Sequence, residues 1–133
     1  MSQLLQGATR LEGSAAPPYG PELFTSINAV NAPWVQAPAL VYAIDGSNVS
    51  NSDLNGIVGF TATVGLTYEV SYNCTARTGG TLQGRFFNGT PSVGNIALGP
   101  NTIQVVAAST AFIFRAFPGT IATIQDISVR QVL

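Results

Sequence analysis

The chain has 133 residues, enough for one domain with a core of its own, and only 8% of them are charged while 46% are hydrophobic. About 25% charge is usual for a soluble domain, so the surface is expected to be neutral-polar or covered by partners. The net charge of -1, with all five basic residues arginine, offers no electrostatic footprint for nucleic acid. No apolar run reaches the roughly 18 residues of a membrane span, and "MSQLLQGATR" lacks the pattern of a secretory signal, so the expected place of synthesis is the cytoplasm.

Residues 1–33 differ in character from the rest. "GSAAPPYGPE" places Pro17, Pro18 and Pro21 close together and has neither strand alternation nor a helical period; Pro21-Glu22 opens at most one helical turn. Six side chains, Leu4, Leu5, Leu11, Tyr19, Leu23 and Phe24, with Ile27 after them, make the segment too apolar for a solvated tail. An extended arm is expected, lying on its own domain or on a neighbour, with those six side chains as its contact residues. The strand pattern starts after Pro33, so removal through Asn28 is expected to leave the domain folded.

From Trp34 onward short alternating segments are separated by turn signals: Asp45-Gly46, Asn55-Gly56, Gly79-Gly80, Asn88-Gly89, Gly99-Pro100 and Pro118-Gly119. Strands are expected at 39–44, 57–63, 67–76, 81–87, 95–98, 102–108, 111–115 and 120–133. The class is all-β, and eight strands in short hairpins suit an antiparallel two-sheet sandwich over residues 34–133.

"YEVSYNCTARTGGTLQGRFF", residues 68–87, reads as one such hairpin. A two-residue turn at Gly79-Gly80 would set Cys74 against Arg85 and bring a charge among apolar residues, which is costly. A three-residue loop, Thr78-Gly79-Gly80, sets Tyr72 against Phe86, Cys74 against Gly84 and Ala76 against Leu82, with Asn73, Thr75, Gln83 and Arg85 on the other face. Cys74 then faces inward as a small apolar residue. Further on, Phe112 and Phe114 share one face while Ile113 and Arg115 share the other.

The chemistry on offer is narrow. There is no histidine and no lysine, and Cys74 stands alone, so zinc and iron sites lack ligands and acid-base or nucleophilic catalysis lacks its usual groups. The six acids form no motif; Glu69 and Asp126 sit on the polar sides of strands and are expected to be solvated. Asp45 and Asp53 flank "GSNVSNS", whose oxygens suit a calcium ion less well than they suit an ordinary polar loop. No cofactor is expected. Trp34, Tyr42 and Phe87 are the aromatics open to stacking on a sugar ring, although Trp34 also fits as a cover over one end of the sandwich.

The order of "VGLTYEVSY", "RTGGTLQGRF", "LGPNTIQVVAA", "FIFRAFPGT" and "IQDISVRQV" resembles that of the carbohydrate-binding-module-like jelly-roll domains of tailed-phage virion proteins, over about two thirds of the chain. The resemblance implies a jelly-roll fold and one of three roles: a sugar-binding module, a piece of a tail fibre, or a small protein that cements the outside of a capsid. The uncharged composition and the apolar arm favour the last. The expected role is thus a non-enzymatic capsid decoration (cement) protein on the outer surface of a virion, bound to the major capsid protein and self-associated as a dimer or trimer. The alternative is a module that binds surface glycans.

Overall fold

The computed structural model describes residues 18–87 and 94–133. Leu4, Leu5, Leu11, the Asn88-Gly89 turn signal and the first half of the expected arm lie outside the described residues. Within them the chain is all-β, without a helix: β1 (Ile27–Val30), β2 (Val35–Gln36), β3 (Tyr42–Asp45), β4 (Ser52–Ile57), β5 (Thr67–Thr78), β6 (Leu82–Phe86), β7 (Gly99–Val106), β8 (Phe112–Ala116) and β9 (Ile121–Gln131). One sheet runs β2-β3-β9-β5-β7 and the other β1-β4-β8-β6; every pairing is antiparallel.

Inward side chains of both sheets share one core. Period-2 alternation puts Tyr68, Val70, Tyr72 and Cys74 of β5 inside, and Leu82, Gly84 and Phe86 of β6 do the same from the other sheet. A file of aromatic rings crosses between the layers. Tyr72 of one sheet meets Phe114 of the other edge-on at 5.2 Å, Phe114 meets Phe112 at 5.4 Å, and Phe112 meets Phe86 at 5.3 Å. Such pairs add about 0.5–1.5 kcal/mol each beyond their burial.

The connections differ from those expected. Among the described residues only β2 and β3 form a hairpin within a sheet; the other successive strands lie in opposite layers. The Tyr68–Phe87 segment is therefore an arch and not a hairpin: β5 pairs with β9 and β7, while β6 pairs with β8. The inward and outward sets were legible all the same, because a strand's two faces follow from its own alternation whichever strand it pairs with. The partner is decided at the loop, where Gly79 and Gly80 both have positive φ (61° and 60°). A Cβ on Gly80 would lie 2.2 Å from Thr120 Oγ1 and 2.8 Å from its backbone, so only glycine lets the arch close on the loop that enters β9.

Three further corrections concern strand limits. The expected strand at 57–63 lies instead at Ser52–Ile57, because Asn55-Gly56, read as a turn, falls inside the strand with Gly56 at φ 77°. The 95–98 segment is not a strand; its Ile96 is buried in the core and its backbone donates one hydrogen bond to Leu82 O (2.7 Å). The sheets also start before Pro33, since β1 pairs with β4, Ile27 with Ile57 and Val30 with Leu54. A pattern of only four residues between turn-forming neighbours was too short to read as a strand.

The segment ahead of β1 is likewise tied to its own domain. β9 has β3 beside it only up to Ile124; beyond that point Gly20 N–H donates to Gln131 O (2.9 Å) and Leu23 N–H to Val129 O (2.8 Å). Tyr19 donates its hydroxyl to Glu69 (2.8 Å), and Leu23 and Phe24 pack against the core. Removal through Asn28 would therefore strip β9 of a neighbour and cut into β1, contrary to the expectation from sequence.

Candidate interaction surfaces

The residues proposed for a sugar platform separate in the structure. Trp34 is buried and its indole N–H donates to Ser52 O (3.0 Å), closing one end of the molecule. Tyr42 is 0% exposed, which overturns its place among surface aromatics; its hydroxyl accepts from Ile27 N–H (3.1 Å), and burial, partly countered by that bond, pushes its pKa up. The sequence did hold a signal here, for Tyr42 is two residues from Ile44 and shares its face. Phe87 is the one of the three that stays half exposed, with the Arg115 guanidinium 5.8 Å from its ring centre.

Phe87 stands beside a shallow hollow lined by Asn55, Ser109, Thr110 and Ala111. Next to it Arg115 forms a two-point ion pair with Asp53, 3.0 Å from Nε to Oδ1 and 3.1 Å from Nη2 to Oδ2, which raises the arginine's pKa further. Adjacent strands dictate this pairing, since Asp53 and Arg115 are directly opposed on β4 and β8. The two acids of the calcium reading are engaged separately. Asp53 is committed to Arg115, whereas Asp45 accepts from the N–H and hydroxyl of Ser47 (2.9 and 2.6 Å), bonds that lower its pKa. No group of three or more metal-ligating side chains occurs among the described residues.

Most of the other titratable groups named in the sequence reading are, among the described residues, also used within the chain. Glu69 accepts from Tyr19 and from Gln104 (3.3 Å). Glu22 accepts from the Ser128 hydroxyl and the N–H groups of Val129 (2.8 Å) and Phe24 (3.0 Å), with Arg130 at 3.7 Å. Burial pushes the Glu22 pKa up, but those hydrogen bonds and the arginine outweigh it, and the net shift is downward. Cys74 is fully enclosed and burial raises its thiol pKa. Tyr72, enclosed beside it, is pushed up to about 12 by burial and by Cys74. Asp126 is exposed on a β-bulge at φ 55°. Nothing in this set places an acid, a base and a nucleophile together.

The two ends of the molecule present different surfaces. At one, the loops 45–52, 78–82 and 116–121 meet, and side chains bind backbone across them. Asn48 donates to Ser50 O (2.9 Å) and Phe117 O (3.0 Å); Arg77 donates to Ile96 O (3.0 Å), Gly79 O, Gly80 O and Asn95 Oδ1; and the buried Thr120 hydroxyl accepts from Thr81 N–H (3.1 Å). Held by Asn48, the first loop presents Val49, 93% exposed. At the opposite end the loops 58–66 and 107–111 are joined mainly by backbone bonds, such as Gly65 N–H to Ala107 O (2.9 Å) and Ala62 N–H to Thr110 O (3.0 Å). There Val58, Val64, Leu66, Val106 and Leu133 are all exposed, and Pro18 lies alongside, its carbonyl accepting from Leu133 N–H (3.0 Å).

Comparison with known protein families, with curated proteins and with solved structures finds no match.

Proposed function

We propose that the chain is a structural virion protein, a decoration or cement protein with a jelly-roll fold that binds the assembled shell of major capsid protein and stabilises it. The observation that carries this reading is the contrast between inner and outer chemistry. The ionised side chains of the described residues are largely tied into the chain's own fold, while uncharged apolar side chains stand out at the end formed by Val58, Val64, Leu66, Val106 and Leu133. That is a surface suited to a neutral, extended contact and not to turnover of a substrate.

The strand order supports the jelly-roll reading. Strands β3 to β9 alternate between layers to give β3-β9-β5-β7 in one sheet and β4-β8-β6 in the other. Binding the assembled lattice and not the free subunit would stabilise the shell by mass action, without chemistry. Because Tyr19, Leu23 and Phe24 contact their own domain, the arm contacts in this reading fall to Leu4, Leu5 and Leu11. The test is thermal melting of capsids with and without saturating protein: decorated particles should melt higher, and equal melting temperatures end the proposal.

A second reading has its own observation. At the hollow beside Phe87, a half-exposed ring adjoins the Asn55 amide and the hydroxyls of Ser109 and Thr110, a combination that stacks on and hydrogen-bonds to a sugar. A glycan-array signal that Phe87→Ala removes, with no capsid binding, would favour this alternative.

A further inference from the structure

The four outer edges of the two sheets are unequal. β2 has two residues, β1 four, and β6 five with Arg85 among them. β7 has eight, "GPNTIQVV", none of them charged. Among the described residues it has β5 on one side and no strand on the other. An edge strand leaves alternate N–H and C=O groups unpaired, and proteins that avoid edge pairing shorten such strands, charge them, place proline on them, as β7 does at Pro100 alone, or kink them with a bulge. β7 is long, without charge, and its pairing with β5 runs in unbroken register from Thr67↔Val106 to Cys74↔Gly99.

We propose that β7 is a self-association edge, at which two copies of this chain pair antiparallel about a twofold axis through Thr102 to form one continuous ten-stranded sheet. The register follows from the exposed side chains. A twofold at Thr102 sets Leu98 of one copy against Val106 of the other, and these are 65% and 58% exposed in the single chain. It also sets Pro100 against Gln104 and Thr102 against itself. Every opposed pair is uncharged, the apolar ends cover each other, and the central Thr–Thr pair is a favourable cross-strand contact. Pro100 has no N–H to give, which removes one donor per copy, but its carbonyl still accepts. The symmetry is closed and isologous, so the pairing ends at a dimer and does not propagate. This proposal is argued from the chain's own edge and does not rest on the capsid reading, although the two share Val106, which the dimer would cover.

The test uses the full chain in solution. Light scattering after size exclusion should show a concentration-dependent dimer. Thr102→Lys would oppose two like charges on the axis and should weaken the dimer by about tenfold or more, with circular dichroism unchanged because Thr102 is exposed in the single chain and a melting temperature that no longer rises with protein concentration. Directly opposed residues on antiparallel strands have Cα atoms roughly 4.5–5.5 Å apart, within disulfide reach. Thr102→Cys should therefore cross-link two copies under mild oxidation, whereas Thr75→Cys, exposed on β5, should not. A parent chain that stays monomeric at the highest concentration reached, a T102K dimer as tight as the parent, or T102C cross-linking no better than T75C would each overturn the proposal.

Discussion

The two ends of this molecule close by different means. The end carrying the Thr78–Thr81 arch is held by side chains that reach across loops to backbone groups, Asn48, Arg77 and Thr120 above all. The end carrying loops 58–66 and 107–111 is held mainly by backbone bonds and leaves apolar side chains in solvent. The first arrangement adds stability and conformational specificity, since each buried polar group that finds its partner avoids a desolvation cost. The second leaves apolar surface that only an additional contact would cover. Substitutions at the first end should therefore be felt in folding, and substitutions at the second in binding.

The largest effect is expected at Gly80. Gly80→Ala combines a positive φ with a clash against Thr120's backbone, and should cost about 3 kcal/mol or more, read as the shift in a denaturant midpoint. A G80A chain as stable as the parent would mean that the close approach of Gly80 to Thr120 does not hold the arch, and the contrast between the ends would weaken with it.

Arg77→Ala comes next. It removes the donors to Ile96, Gly79, Gly80 and Asn95 and should cost about 2 kcal/mol. Amide exchange should rise in the 78–82 and 94–98 segments and stay unchanged in 58–66; a uniform rise would show that the arginine does not act on that end in particular.

Glu22→Gln tests the strap along β9 that lies between the ends, and should cost about 1 kcal/mol at neutral pH, since the carboxylate is partly exposed and solvent screens it. The pH dependence has a definite sign. The folded-state pKa is lowered from 4.5, so the contribution is complete above that value and is lost as pH falls through the folded pKa. Melting curves of E22Q and the parent should differ at neutral pH and draw together in acid. A gap that persists at low pH would mean the carboxylate's charge is not what holds the strap.

The smallest effect on folding belongs to the other end. Val64→Ser and Leu133→Ser, at positions 60% and 66% exposed, should change stability by less than about 0.5 kcal/mol. Under the capsid-binding proposal, the same changes should lower affinity for capsids. Loss of stability with no loss of binding would reverse the division of labour.

Sequence alternation by itself determined the all-β class and the inward set of the long strands: Tyr68, Val70, Tyr72, Cys74, Leu82, Phe86, Phe112 and Phe114 are the residues found in the core. It also set Arg115 on the face opposite Phe112 and Phe114, although Asp53, its ion-pair partner, read as part of a loop, and the glycine pair at 79–80 marked a sharp reversal of the chain. Which strands pair was not legible, because alternation describes one strand's faces and is silent about its neighbour. The hairpin expected at 68–87 and the observed arch bury the same side chains. Tertiary structure made that decision through contacts between residues far apart in the chain, Gly80 against Thr120 and β5 between β9 and β7. It likewise drew residues 19–30, whose single proline and short apolar runs carry no strand signal, into the sandwich, because β9 and β4 each had an unpaired side that this segment could fill. Backbone groups must find partners wherever water is excluded, and that requirement can be met only once the whole fold is assembled.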